Sequence, residues 1–216
     1  GWSFPATAAP SPAALYQKHC AACHEGGVPR APHSVKFQMI GTRAILASME
    51  AGVMQAQGAA LSANERRELA EFLGGATLVD AAATVPRCAA PRATVDATRP
   101  PPVAGWGMTL EGTRHVTADR AGLAAADVPR LGLAWAFAFP GASRARSQPT
   151  VGAGAVYVGS QDGTVYALDF ATGCVRWTFQ ADAEVRTGPT LEPWSAGDAT
   201  AAPRLWFGDF NGNAYA

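Results

Sequence analysis

The amino-acid sequence predicts an α + β multidomain protein: a small all-α domain, then an all-β region built from repeats. Three observations lead there. Residues 12–76 hold short amphipathic stretches with helix start and stop residues in place. Residues 77–105 are rich in Ala, Thr and Pro, and residues 106–216 alternate apolar side chains around Gly-containing turns. Residues 1–11 read as an N-terminal tail. A chain of 216 residues has room for one large domain or two modest ones, at roughly 100–200 residues per domain.

The first helix is expected to start at Pro12, whose fixed φ suits the first turn, and to place Leu15, Tyr16 and His19 on one face. Residues 42–51 carry Ile45, Leu46 and Met49 at helical spacing, and Gly52 stops them. Ser62-Ala63-Asn64-Glu65 is a capping box, in which the hydroxyl and the carboxylate satisfy orphan amides. Leu69, Phe72 and Leu73 follow as an apolar face, closed by Gly74-Gly75. The segment 77–105, with Arg99-Pro100-Pro101-Pro102, can bury little and reads as a stiff, extended linker.

Beyond the linker the period changes. Ala155–Gly159 and Thr164–Leu168 alternate around Gln161-Asp162-Gly163, a strong hairpin signal. The unit then repeats: Pro149-Thr150 returns as Pro189-Thr190, forty residues on, and Asp162-Gly163 returns as Asn211-Gly212. Extra residues in the second copy fall most simply in the loop 192–203. Repeats of about 40 residues with several strands each suggest the blades of a β-propeller, where a blade buries its faces only against neighbours. One blade and part of a second are in view. With Gly1 rather than Met at the start and Tyr215-Ala216 ending a repeat, the chain is expected to be a piece of a longer protein.

Composition sets exclusions. Seventeen basic and seventeen acidic residues leave zero formal charge, so no broad electrostatic footprint for nucleic acid is expected. A 48% hydrophobic, 16% charged chain is not of the disordered class. No run of about 18 apolar residues is present, which excludes a transmembrane helix.

The chemistry lies in Cys20-Ala21-Ala22-Cys23-His24, the C-x-x-C-H pattern of covalent haem c attachment. Two thiols three positions apart can each form a thioether to a haem vinyl group, and the following imidazole reaches the iron. A thioredoxin-like redox pair would want a βαβ context, and a zinc site a second ligand pair; neither is visible. Four Met are available for the second axial place. Met39 and Met49 sit at apolar helical positions, Met108 lies past the linker, and Met54 falls in the loop before the capped helix. His19 reads as a solvated helix residue and His33 as a loop residue near the haem edge.

This segment resembles a class I cytochrome c: C-x-x-C-H, a long loop, a helix, a Gly-x-Met turn (Gly52-Val53-Met54) and Leu61-Ser62-x-x-Glu65 opening the last helix. The resemblance implies Cys20 and Cys23 as thioether residues and His24 and Met54 as axial iron ligands. It departs at Gln55, where that family usually has Pro.

The β region has a resemblance of its own. Ala167-Leu168-Asp169-Phe170-Ala171-Thr172-Gly173-Cys174-Val175-Arg176-Trp177 fits A-x-D-x-x-T-G-x-x-x-W, the tryptophan-docking repeat of quinoprotein (PQQ) propellers. In it Thr172-Gly173 form the turn, Asp169 caps it and Trp177 wedges between blades. Leu131-Gly132-Leu133-Ala134-Trp135, after Trp106 and Arg114, is similar to the opening of quinoprotein alcohol dehydrogenases. The whole order resembles cytochrome-type polyvinyl-alcohol dehydrogenases. That implies haem c electron transfer in a PQQ-dependent alcohol dehydrogenase, with PQQ and calcium in the full-length protein. It also implies an external electron acceptor (a cytochrome or the quinone pool), an alcohol or polymer substrate, and a periplasmic or secreted location.

The same repeat occurs in propellers without quinone, so a non-catalytic scaffold with a fused redox carrier is the alternative. The quinone-contacting Glu of the dehydrogenase family is Arg146 here, and the vicinal Cys-Cys is absent. Arg144, Arg146 and Arg186 either face an anionic quinone or sit solvated at the rim. No catalytic residue is assigned. Cys88 and Cys174 either form a disulfide pinning linker to blade, or stay an exposed thiol and a buried one.

Overall fold

The computed structural model describes residues 9–78, 85–90, 94–101, 105–107, 112–142, 145–198 and 200–216. The chain divides into two compact units, residues 1–78 and 79–216.

The first unit is helical. Helix α1 (Pro12–His19) begins as its sequence dictates: Ser11 accepts the Ala14 amide on its hydroxyl and Pro12 takes the first turn. Helix α2 (Ala21–His24) is a single turn. A 3-10 turn at Ser34–Lys36 runs into α3 (Phe37–Ile40), and α4 (Thr42–Glu50) and α5 (Gln55–Gly58) follow. Helix α6 (Ala63–Gly74) has both halves of its capping box, Glu65 amide to Ser62 hydroxyl and Ser62 amide to Glu65 carboxylate at 2.8 Å. It ends on Gly75 at φ +69°, a left-handed position that favours glycine.

These helices close over one core: Leu15, Tyr16, Phe37, Ile45, Met49, Leu61, Leu69 and Ala70. Phe72, counted on the apolar face from spacing alone, is 53% exposed, and Ala70 lies fully buried beside Leu69 instead. A small side chain is needed there because α6 comes close to α4; a Cβ on Gly74 would collide with Thr42. Burying a Leu such as Leu69 contributes roughly 1.5–3 kcal/mol.

The second unit carries a four-stranded antiparallel sheet in the order β1 (Thr150–Gly152), β2 (Ala155–Gly159), β3 (Thr164–Asp169), β4 (Val175–Gln180). A smaller antiparallel sheet follows: β5 (Thr190–Leu191), β6 (Leu205–Gly208), β7 (Ala214–Tyr215). The β2–β3 hairpin turns where expected, with Gly163 at φ +86° and the Thr164 amide donating to Asp162. The alternation does not become one wet face and one dry one: every residue of β3 is buried. One face is covered by Trp135, Phe137 and Phe139, which pack on Val158, Tyr166, Leu168 and Val175. The other meets the second sheet through Trp177, Leu191, Trp194 and Leu205. Helical turns at Ala118–Ala121 and Ala125–Arg130 interrupt a region that reads as β.

Described residues of the segment read as a linker pair with this unit. The Cys88 amide donates to the Val175 carbonyl and the Val175 amide to the Pro86 carbonyl, so residues 86–88 run parallel to β4 at its free edge. Further on, the Asp96 amide donates to the Ala153 carbonyl and the Trp194 indole to the Ala97 carbonyl at 2.8 Å. Proline-rich chain cannot form a ladder on both sides, but at a sheet edge only one side has to pair. Cys88 and Cys174 form a disulfide there, with Cα atoms 5.1 Å apart; of the two readings left open, the bridged one is the structure's.

Candidate functional site

The C-x-x-C-H segment sits where α1 hands over to α2. The Cys20 amide closes α1 on the Tyr16 carbonyl, and the Cys20 carbonyl accepts the amides of Cys23 and His24 at 3.1 Å. One backbone turn therefore places both thiols and the imidazole. Both thiols are free; Cys20 is half-buried against the core and Cys23 exposed. Burial, and after it the neighbouring Cys23, pushes the Cys20 thiol up.

His24 is buried, and its Nδ1 lies 2.7 Å from the Pro32 carbonyl oxygen. A carbonyl can only accept, so Nδ1 carries the proton and Nε2 is left with the lone pair that a metal needs. The Phe37 ring stands edge-on to the imidazole at 5.0 Å. Gly26, at φ +95°, turns the chain back after Glu25, and a Cβ on Gly27 would collide with the Ala22 carbonyl. The two glycines make the return to Pro32 sterically open.

Met54 caps α5, its amide donating to the Ser48 carbonyl at 2.9 Å, and its half-buried side chain packs on the same core as Cys20. Of the other methionines, Met49 is core filling at 7% exposure, Met39 is half-buried and Met108 lies outside the described residues. His19 is half-buried in the last turn of α1. His33 pairs with Glu25, Nε2 to Oε2 at 3.3 Å, and its Nδ1 accepts the Val35 amide.

The donor set suits a haem c. It offers two unbridged thiols on one turn, a buried imidazole with Nε2 available, and a thioether bordering the same apolar core. Two contributors had no signature in the sequence, Phe37 against His24 and the Tyr16 hydroxyl that donates to Glu25 at 2.5 Å. Aromatic residues after the motif are a faint signal, and pairing across an irregular loop has no period to read.

In the second unit Asp169 caps the Thr172-Gly173 turn, accepting the amides of Ala171 and Thr172 and the Thr172 hydroxyl on one oxygen. Its other oxygen takes the Arg176 guanidinium at 2.9 Å. Burial pushes this carboxyl up, but the Arg176 and Thr172 hydrogen bonds outweigh burial and bring it down to about 2. Trp177 packs in one cluster with Leu205 of the second sheet. Arg186 is held by buried Glu184 at 2.9 Å and lies over the Phe210 ring at 4.5 Å. Arg146 is exposed, and Arg144 lies outside the described residues. The described residues thus present no built cradle for a quinone tricarboxylate.

Fold and site together define a protein with a cytochrome module ahead of quinoprotein-type β repeats. Residues 7–73 match the family described as cytochrome c oxidase, cbb3-type, subunit III. Residues 52–204 match the family described as outer membrane protein assembly factor BamB, and the chain belongs to that family of PQQ-type repeats. It is similar to a polyvinylalcohol dehydrogenase of Pseudomonas sp, 32% identical over 96% of this chain and 34% of the relative. It is also similar to a polyvinylalcohol dehydrogenase of Sphingopyxis sp. (strain 113P3), 30% identical over 94% of this chain and 33% of that protein. The chain spans about a third of the length of these curated relatives. No described helix is long and apolar enough to cross a membrane.

Proposed function

We propose that this chain is the haem c electron-transfer part of a PQQ-dependent alcohol dehydrogenase of polyvinyl-alcohol type. Residues 12–76 form the cytochrome domain and 106–216 the first blades of a β-propeller, joined by 77–105. Cys20 and Cys23 would hold the haem covalently, and His24 and Met54 would ligate its iron. The carrying observation is the pair of free thiols on one turn beside a His24 whose Nδ1 is occupied by Pro32. When bound, the haem supplies a one-electron redox couple, its potential raised by a Met ligand. The protein's part is to orient: the Pro32 carbonyl fixes the imidazole tautomer, Phe37 fixes its plane, and the apolar core around Met54 keeps water away.

The propeller reading is supported by the way Trp135, Phe137 and Phe139 cover one face of the first sheet. Leu133-x-Trp135-x-Phe137 repeats the pattern Val175-x-Trp177-x-Phe179 of β4. On this reading residues 133–139 would belong to the outer strand of a neighbouring blade. In a protein of the relatives' length, a bound haem would supply the one-electron couple that links oxidation of an alcohol or polymer to an external acceptor in the periplasm.

Haem attachment is tested on the purified chain expressed with haem-maturation machinery: a reduced pyridine haemochrome of the bis-thioether type is expected. In Met54→Ala the Met-to-iron charge-transfer absorption should vanish while attachment persists; its survival moves the ligand to Met39 or Met49. A second reading, a scaffold propeller with a fused redox carrier, draws support from the engagement of Arg186 by Glu184. The two separate in the full-length protein supplied with PQQ and calcium. Haem reduction on adding polyvinyl alcohol supports the dehydrogenase, and a haem that stays oxidised supports the scaffold.

A further inference from the structure

We propose that Glu25 is a positioning residue that holds the His24 imidazole on the Pro32 carbonyl and thereby sets the potential of the group His24 ligates. The inference rests on the reading of His24 as an iron ligand.

The argument starts from the loop that carries the acceptor. His24 ends α2, and the chain runs through Gly26-Gly27 and returns at Pro32. The loop's own backbone bonds, Val28 amide to Cys23 carbonyl and Ala31 amide to Val28 carbonyl, stop short of Pro32, so the 2.7 Å bond between His24 and Pro32 also depends on how the loop's two ends are tied. They are tied by side chains on the residues immediately after each partner. Glu25 follows His24, His33 follows Pro32, and their side chains meet at 3.3 Å. The other carboxylate oxygen of Glu25 accepts the Tyr16 hydroxyl at 2.5 Å, which anchors the clamp to α1.

Tyr16 is an unusual anchor. It is 6% exposed, a core residue of the unit, yet its hydroxyl reaches out to a carboxylate at the surface. Burial, and after it the Glu25 bond, pushes this phenol up to about 12, so it stays a donor at any ordinary pH. Its ring lies edge-on to Phe37 at 6.2 Å, and Phe37 in turn lies edge-on to His24 at 5.0 Å. Two routes, one polar and one aromatic, run from Tyr16 to the same imidazole. Displacing Glu25 slackens the first and leaves the second.

The consequence is electronic. An imidazole whose Nδ1–H donates strongly is a more basic ligand at Nε2, and ligand basicity lowers the potential of the metal it holds. Loosening the Pro32 bond should therefore raise the potential without releasing the haem.

The test compares Glu25→Ala, Glu25→Gln and Tyr16→Phe with the parent, all as haem-loaded chain. Two quantities are read: midpoint potential by spectroelectrochemistry, and solvent exchange of the His24 Nδ1 proton by NMR. Glu25→Ala is expected to raise the potential and to speed Nδ1 exchange about tenfold, as for loss of about 1.4 kcal/mol of hydrogen-bond support. Tyr16→Phe should move both in the same direction by less. Glu25→Gln keeps an acceptor for Tyr16 but removes the charge, so it should restore most of the parent exchange rate. If Glu25→Gln shifts the potential as far as Glu25→Ala while exchange stays slow in both, only charge is at work and the proposal falls. Unchanged potential and exchange in Tyr16→Phe and Glu25→Ala also overturn it. A parent chain that takes up no covalent haem overturns the reading beneath it instead, and the two failures are told apart before any variant is made.

Discussion

Each unit of the molecule holds one pair of cysteines, and the two pairs meet opposite fates. In the helical unit Cys20 and Cys23 stay free on one turn, while in the β unit Cys88 and Cys174 are joined across 86 residues. Surroundings decide the difference. The helical thiols are held by a backbone bonded to itself, so they share a turn, Cys20 against the core and Cys23 exposed. The β cysteines lie on two backbones bonded to each other at Val175, which brings their Cα atoms to 5.1 Å, within disulfide range. Buried polar groups divide in the same way. In the β unit Ser147 donates to the Thr187 carbonyl and Asp169 is used up on its turn and Arg176, so such groups hold structure. In the helical unit Thr42 likewise holds structure by donating to the Ala76 carbonyl, but His24 spends only Nδ1 on Pro32 and leaves Nε2 with its lone pair.

The contrast can be broken from either side. The largest effect is expected from Cys20→Ser with Cys23→Ser: complete loss of covalent haem, read by haemochrome and intact mass, with the β unit's thermal transition unmoved. The reverse cut, Cys88→Ala with Cys174→Ala, should lower the β unit's stability by about 4 kcal/mol for a loop this long and leave haem attachment intact. Urea unfolding followed by tryptophan fluorescence reads it, since five of the six tryptophans belong to the second unit and only Trp2 to the first.

Asp169→Asn comes next, expected to cost about 3 kcal/mol in the β unit because Arg176 is left buried without its partner. The same carboxyl sharpens the contrast by pH. Its folded value of about 2 lies below the ordinary Asp value of about 4, so the unfolded state binds the proton more readily. The contribution is present in full above pH ~4 and is lost as pH falls toward 2; Asp169→Asn should flatten that limb of the stability curve. The smallest effect is expected from Ser62→Ala, about 1 kcal/mol, seen in helical circular dichroism and confined to the first unit.

The elements with local rules were legible in advance. The capping box at Ser62, the Gly75 stop and the Asp162-Gly163 turn stand where the spacing places them, because each is decided by residues within a few positions. Legibility ends where a partner is distant. Phe72 was counted as core and Ala70 was not, since helix spacing does not know that α4 approaches at Gly74. The Ala-, Thr- and Pro-rich stretch offers little to bury and reads as a linker, yet residues 86–88 pair with β4 because that edge is open. The two hairpins make the point most simply. Tyr166 and Tyr215 hold equivalent repeat positions, but Tyr166 is fully buried under Phe137 and Phe139, while Tyr215 at the last strand is only half covered.

The sequence by itself determined the Cys-Cys-His spacing of the C-x-x-C-H turn, the helix ends at Pro12, Ser62 and Gly75, and the repeat of the β region, since all three depend on spacing along one backbone. Only the tertiary structure decided that Pro32 and Phe37 orient His24, that Glu25 clamps their loop, and that Cys88 reaches Cys174. Those contacts join residues separated by irregular chain. Their free energy comes from the surfaces and hydrogen-bonding groups that the fold brings together, which no local pattern encodes.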